Sequence, residues 1–267
     1  MENMTMKLSV IVIEYHSIEE IRPCKDALQR CCDGIQCELI VSSNSCYPED
    51  QQKKLQADFP DIHWQFNSKN GGFAYGMNRG LEVASGDFLL ISNPDVRIQC
   101  QLRPALEYIA SHPKVGAVGP RIIDEKGCIQ DSCRNFMRPW DMLKRQLTRF
   151  FTSRDVLLDK QCDYASIHPV DWVIGAFILL EREVYEKVGG LDENYFLYVE
   201  DMDWNYRIHR AGYEVHYFPE LVIQYKGDRK STRTIFHDKK LISHYGWLHF
   251  KSYCRFLYKW GLFFTHE

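Results

Sequence analysis

Three carboxylates stand close together in Glu200-Asp-Met-Asp-Trp-Asn-Tyr-Arg207, behind the glycine-marked run Gly189-Gly-Leu-Asp-Glu-Asn-Tyr-Phe196. Acids at the head of a helix, next to a loop, are placed to take a proton from a hydroxyl group, and a neighbouring carboxylate such as Glu200 or Asp203 would raise the pKa of Asp201 toward neutrality. A plainer reading is a charged helix start, with acids favoured at the N-terminus and Asp203 paired to Arg207 four residues on. That reading accounts for Asp203 and Arg207. It does not account for Asp201 in the company of Asp192, Glu193 and the preceding aromatic loop.

A second acidic centre lies far upstream, in Asn93-Pro94-Asp95. Alone, this tripeptide reads as a turn that Pro94 fixes. It follows directly on Phe88-Leu-Leu-Ile91, however, and open α/β sheets bind ligands beyond the carboxyl ends of their strands. One acid near a diphosphate and another near an acceptor is the division of labour that sugar transfer from a nucleotide needs.

The elements that must position these acids have a βαβ rhythm. Leu8–Ile13 is a β-branched run ending in polar Glu14-Tyr15-His16, as a buried parallel strand does on reaching a ligand-facing loop. A helix is expected from about Ile18 to Cys32, then a strand at Cys37–Val41 that exits into Ser42-Ser-Asn-Ser45. Trp64–Phe66 reads as a third strand. Asn70-Gly-Gly-Phe-Ala-Tyr-Gly-Met-Asn-Arg-Gly80 opens the next helix, its glycines either admitting a phosphate or sugar to the backbone or simply making a tight loop. Residues 132–170 break the rhythm and read as an irregular, partly helical insertion.

The chain has 267 residues, 45% of them hydrophobic, enough for one large α/β domain with a tail. A net charge of −3 argues against broad nucleic-acid binding. The ten cysteines include no C-x-x-C pair, and Met1-Glu2-Asn3-Met4 opens no secretory signal, so free thiols in a reducing cytosol are expected and a zinc site is not. No apolar run approaches the roughly 20 residues that span a bilayer.

Together these motifs resemble glycosyltransferase family 2, inverting enzymes of GT-A fold, and most of all its rhamnosyltransferase-like branch. The resemblance runs from about Leu8 to Lys259. It rests on Asn70-x-Gly72-Phe73-Ala-x-Gly-x-Asn78-x-Gly80, Leu90-x-x-Asn93-Pro-Asp95, Asp171-Trp172-Val-x-Gly175-Ala176, Gly190-x-Asp192-Glu193-x-Tyr-Phe196 and Glu200-Asp-x-Asp-Trp-x-x-Arg207.

It implies a Rossmann-like, mostly parallel sheet flanked by helices, with a transferase domain over residues 1–235 and a helical tail over 236–267. Asp95 would hold Mn²⁺ or Mg²⁺ on the donor diphosphate, a hard cation suited to oxygen ligands. Asp201 would be the general base, with Glu200 beside it. Tyr15, Ser43, Asn44, Asn70, Gly72, Phe73, Asn78, Asn93 and Lys226 would line the nucleotide-sugar site. Trp172, Gly175, Ala176, Asp192 and Glu193 would line the acceptor side, Trp172 serving either to stack on a sugar or to fill the core. The partners implied are a nucleotide-sugar, with dTDP-rhamnose leading and a UDP-hexose as the alternative, and a glycan or lipid-linked saccharide acceptor of a bacterial surface polymer. A catalytically degenerate binding protein is the reading from another class.

Three positions depart from the family pattern. Ser43-Asn44 stands where Asp-Asn is usual, Glu14-Tyr15-His16 where Asn-Tyr-Asn is usual, and Gln224-Tyr225-Lys226 where a metal-binding histidine is common. Lys226 or Arg229 could then help neutralise the diphosphate, the plainer reading of 226–233 being a solvated basic loop. In the tail, Lys239, Lys240, Lys251, Arg255 and Lys259 interleave with Trp247, Phe250, Phe256, Leu257, Trp260, Phe263 and Phe264. Such a helix either lies on an anionic membrane surface or packs its stripe on the domain. The expected location is the cytoplasm, with the inner face of the membrane as the peripheral option.

Overall fold

A computed structural model describes residues 6–136, 139–140, 163–225 and 244–262. Within them the strands are β1 Lys7–Glu14, β2 Gln36–Ser43, β3 Ile62–Phe66, β4 Phe88–Ser92, β5 Val96–Ile98, β6 Val115–Ile123, β7 Ile129–Gln130, β8 Cys133–Arg134, β9 His168–Val170, β10 Trp172–Val173, β11 Phe177–Glu181 and β12 Glu214–Tyr225. The helices are α1 Ile21–Cys31, α2 Glu49–Asp58, α3 Phe73–Val83, α4 Arg103–Ser111, α5 Arg182–Val188, α6 Glu200–Arg210 and α7 His244–Trp260.

The main sheet has the order β3-β2-β1-β4-β11-β6-β12-β5. Its first four strands are parallel, so β1, β2 and β4 all point their carboxyl ends to one rim. Strand β11 enters antiparallel between β4 and β6. This is the mixed, mostly parallel sheet that the sequence implies. Strands β1 and β4 are buried on both faces, as apolar runs covered by helices on either side must be.

The glycines of α3 have a role that the sequence reading did not assign. Gly71 and Gly72 precede the helix, whereas Gly76 and Gly80 lie inside it, where glycine normally weakens a helix. A Cβ at Gly76 would stand 2.5 Å from Ile13 Cδ1, and one at Gly80 would strike Ile11. Their absence lets α3 lie directly on β1.

The 132–170 segment, where it is described, is helical at residues 139–140. Its ends form β8, paired with β10, and β9, paired with β12, so they extend strand structure toward the acceptor side. The middle of that segment, the 226–243 stretch carrying Lys226, Arg229, Lys239 and Lys240, and Phe263 and Phe264 lie outside the described residues. Among the described residues eight cysteines are free as expected, but Cys133 is disulfide-bonded, which corrects the all-thiol reading.

The tail helix α7 packs on the domain. Tyr253 and Phe256 are buried against Trp172, Tyr195, Val199, Met202 and Tyr206, the packing alternative for the aromatic stripe. Its Tyr245, Trp247, Phe250 and Tyr258 are exposed, as is Leu262 just beyond it. Among the described residues, no helix is long and apolar enough to cross a membrane.

Candidate active site

The site forms where the carboxyl ends of β1, β2 and β4 meet the β10–β11 segment and the head of α6. Asn93 donates its backbone N–H to the carbonyl of Ala176 at 3.0 Å, which ties the Asp95 turn to the acceptor-side segment. One residue earlier, the Gly175 N–H donates to Asp201 Oδ2 at 2.8 Å. Both acidic centres therefore hang on the same two residues. A Cβ at Gly175 would press on Asp201, lying 3.1 Å from its Cβ.

Asp201 is half-buried, and its other oxygen accepts the Met202 N–H at 2.8 Å. Burial raises its pKa, while the Gly175 and Met202 N–H groups and the Arg134 guanidinium work against that rise. Glu200 is only 5% exposed and its Oε2 has no hydrogen-bond partner among the described residues. Burial pushes its pKa well up, and the charge of Asp201 adds to the effect. Burial is thus offset at Asp201 by two backbone N–H groups, while Glu200 Oε2 has no such partner among the described residues. Asp203 is not part of this pairing. It is fully buried and accepts from Arg207 at 3.0 Å, as the helix-start reading required, and also from Trp260 Nε1 at 2.8 Å and Lys259.

The loop entering α6 is bent in an unusual way. Tyr198 and Val199 have φ of 69° and 71°, and Val199 is the N-cap. A β-branched residue in the left-handed region is an outlier of order 1–3 kcal/mol, held only where the surroundings over-determine it. Nothing in the sequence signals it.

On the donor side, several expected ligand residues are committed to the protein itself. The buried carboxylate of Glu14 accepts from Ser43 Oγ at 2.5 Å, Ser45 Oγ at 2.9 Å, Tyr47 OH at 3.0 Å and the Ser17 N–H at 2.9 Å. Ser43 is thus a prop for β1 rather than an open donor group. Asn44 gives its amide to the Gly72 carbonyl at 2.9 Å and accepts from Asn67 at 2.9 Å. Asn70 accepts the Gly72 N–H at 3.0 Å, so both asparagines shape the glycine loop. Phe73 donates its N–H to the Phe196 carbonyl at 2.9 Å, which stitches that loop to the acceptor side.

Asn78 is a clasp. It donates to the Leu191 carbonyl and accepts the Leu191 N–H, both at 2.8 Å, and also donates to Glu193 at 3.0 Å. These bonds tie the Asn78 amide to the loop that carries Leu191 and Glu193. Glu193 is shared with Arg79 at 3.0 Å, and Asp192 is held by Lys259 at 2.8 Å. Burial alone would raise the Asp192 carboxyl, but Lys259 and Asn194 hold it down to about 2. Trp172 is 6% exposed, donates Nε1–H to the Asn135 carbonyl at 3.3 Å and has Arg134 over its face at 5.1 Å, so it is core rather than an open sugar platform. Ala176 is likewise buried.

Asp95, Asn93 and Asp201 are half-buried, and the rings of Tyr15 and Phe196 are exposed. Tyr15 lies at the end of β1, its ring 4.4 Å from that of His16. Asn93 donates its side-chain amide to Tyr225 OH at 2.9 Å, so Tyr225, at the end of β12, braces the acidic turn. Glu14, Phe196, Arg134 and Tyr225 were not assigned from sequence. Glu14 stood in plain view as a departure from the usual strand ending. A cavity of about 990 Å³ lies elsewhere, between α1 and α2, and touches neither Asp95 nor Asp201.

Among the described residues, no three acidic, histidine or cysteine side chains gather as a metal cage. One half-buried carboxylate on a turn at the strand ends fits a different arrangement. A hard cation chelated by a substrate diphosphate needs only one or two carboxylates from the protein.

This fold and this pair of acidic centres define a GT-A type glycosyltransferase architecture. The glycosyl transferase family 2 profile matches residues 9–189, and the chain belongs to that family. It is 27% identical over 214 residues to the N-acetylglucosaminyl-diphospho-decaprenol L-rhamnosyltransferase of Mycobacterium tuberculosis, covering 69% of this chain and 65% of that protein. Rhamnosyltransferase WbbL of Escherichia coli is 26% identical over 160 residues, 56% of this chain and 59% of its own length. The chain thus spans about two thirds or less of these relatives. Among solved structures, GalNAc-T7 with UDP, GalNAc and Mn²⁺ superposes with a TM-score of 0.66 at 14% identity, over 96% of this chain and 49% of that one. A mannosyltransferase from Pyrobaculum calidifontis with GDP-Man and Mn²⁺ gives 0.55 at 18% identity, over 96% and 71%.

Proposed function

We propose that the protein is an inverting glycosyltransferase that moves a sugar from a nucleotide-sugar to a hydroxyl of a growing, lipid-linked bacterial surface glycan. The observation that carries this reading is the pair of backbone hydrogen bonds from neighbouring residues, Gly175 to Asp201 and Ala176 to Asn93, which set a charged carboxylate beside the Asp95 turn. Asp201 takes the proton of the acceptor hydroxyl as its oxygen bonds to the anomeric carbon. The bond from that carbon to the diphosphate breaks on the opposite face, and the electron pair leaves with the nucleoside diphosphate. General-base help of this kind contributes about 10²- to 10⁴-fold in rate. Glu200, kept neutral by its burial, leaves the charge on Asp201.

Asp95, with Asn93 on the same turn, would hold a divalent cation, Mn²⁺ or Mg²⁺. Such an ion supplies charge neutralisation at the departing diphosphate. Rhamnose from dTDP-rhamnose is the donor favoured by the kinship to rhamnosyltransferases. A UDP-hexose is the second reading, favoured by Ser43, whose hydroxyl is given to Glu14 in place of a base-reading carboxylate.

The outward side of α7 suits a peripheral contact with an anionic membrane. Trp247 and Phe250 lie with rings 5.8 Å apart, and the helix carries the exposed Lys251 and no acid. That contact would place the enzyme at the inner face of the cell membrane, beside a lipid-linked acceptor.

The test is thermal-shift binding of dTDP-, UDP- and GDP-sugars with and without Mn²⁺, on wild type and Asp95→Ala, followed by turnover on lipid-linked acceptors. A metal-dependent shift lost in Asp95→Ala, with turnover lost in Asp201→Asn, supports the reading. Donor binding without turnover on any acceptor would turn it toward a binding protein.

A further inference from the structure

We propose that Lys259, on the tail helix α7, is a positioning residue for the Glu200–Asp201 pair, acting through Asp192 and Asp203. The inference rests on the reading of Asp201 as the base. A single ammonium group bridges two acids, lying 2.8 Å from Asp192 Oδ2 and 2.9 Å from Asp203 Oδ1. These acids flank the strained loop on either side. Asp192 lies before it, and Asp203 lies within the first turn of α6, two residues beyond Asp201.

Asp203 is fully buried, and a buried carboxylate stays charged only with close partners. Tyr195 OH, at 3.3 Å, and Arg207 come from the domain itself, while Lys259 and the Trp260 N–H come from α7. The loop between the two acids is held from the same side. Ser252 Oγ donates to the Leu197 carbonyl at 2.9 Å, the Tyr198 and His249 rings are 5.5 Å apart, and Val199 packs in one cluster with Tyr253 and Phe256.

A left-handed Tyr198-Val199 pair relaxes toward ordinary backbone if nothing holds it. That relaxation would turn the head of α6 and draw Asp201 off the Gly175 N–H. Among the described residues Lys259 is the one side chain bonded to both Asp192 and Asp203, so it sets the aim of the base without touching substrate. Its sequence position, 58 residues beyond Asp201 and in a tail, gives no hint of this.

The experiment compares full-length wild type, Lys259→Met and Lys259→Arg by amide hydrogen exchange and by steady-state kinetics. In Lys259→Met, exchange at the amides of Gly175 and Met202 should accelerate about tenfold, with β1, β2 and β4 unchanged, as a local opening requires. Displacement of the base should lower kcat by about 10²-fold while donor KM holds, and Lys259→Arg should recover both readouts. Unchanged exchange at Gly175 and Met202, acceleration spread equally over the sheet, or an unchanged kcat in an active enzyme would each overturn the proposal. A wild type that turns over no donor would instead sink the transferase reading, while the exchange measurement still decides the positioning role.

Discussion

Gly72→Ala puts the join between the donor loop and the acceptor loop to a quantitative test. Gly72 has φ 93° and ψ −176°, a region open essentially to glycine alone. A Cβ there would lie 2.8 Å from Phe196 C and Cα and closer still to the carbonyl oxygen, all of it backbone that cannot swing away. The conformation alone costs about 1–3 kcal/mol. Displacing the Phe196 carbonyl also sacrifices the Phe73-to-Phe196 bond and strains the Asn44-to-Gly72 bond, at about 1 kcal/mol each. The sum is about 4 kcal/mol.

Gly189 supplies the control. Its φ of 79° and ψ of 175° fall in the same region, but a Cβ there would meet nothing within 4 Å. Gly189→Ala should therefore carry only the conformational part, about 2 kcal/mol. Urea denaturation followed by tryptophan fluorescence gives both values, and the thermal midpoint of Gly72→Ala should fall on the order of 10 °C. Equal losses for the two variants would mean that the Phe196 carbonyl does not restrain the glycine loop, and the stitch between the two halves of the site would have to be abandoned.

Other expectations follow from the acids. Asp201→Asn should lower turnover by about 10²- to 10⁴-fold, whereas Glu200→Gln, which mimics a neutral acid, should stay within about tenfold of wild type in a radiolabelled transfer assay. The raised pKa of Glu200 gives stability that is complete below the ordinary carboxylate range and is lost as pH rises through the folded-state value, so Glu200→Gln should be the more stable protein at pH 8 and match wild type near pH 4 in urea titrations. Asp192 runs the other way. Held at about 2 in the fold, it stabilises above the ordinary value and loses about 2 kcal/mol as pH falls from about 4 to 2, a loss that acid-unfolding curves should show diminished in Lys259→Met.

Strands β1 to β4, the strand-end placement of Asp95 and the head-of-helix placement of Asp201 were legible because period and glycine punctuation depend on local sequence, whereas β5 to β12 were not assigned. Asp203 with Arg207 was legible for the same reason, being one turn apart on one helix. What could not be read were commitments made over long separations. Glu14 collects Ser17, Ser43, Ser45 and Tyr47 from two loops and a strand end, and no spacing rule announces such a hub. Asn78 looked like a ligand because it sits in a glycine-rich motif, yet its partner Leu191 is 113 residues away. Trp172 was open between stacking and core until Arg134 was seen over its face. The left-handed Val199 runs against its own side-chain chemistry, so only the packed structure can reveal it.

The bond between Asn93 and Tyr225 joins residues 132 positions apart, and β5, which begins just after Asp95, finds its partner only in β12. During synthesis the first four strands can pair early, since β1, β2, β3 and β4 lie within the first 92 residues. The turn carrying Asp95 emerges with them but is left unbraced until translation has passed Tyr225. At about 5–20 residues per second, this interval is on the order of ten seconds. The parallel half of the sheet is thus synthesised well before Tyr225, and the Asp95 turn gains its brace together with the last strand of the sheet, β12.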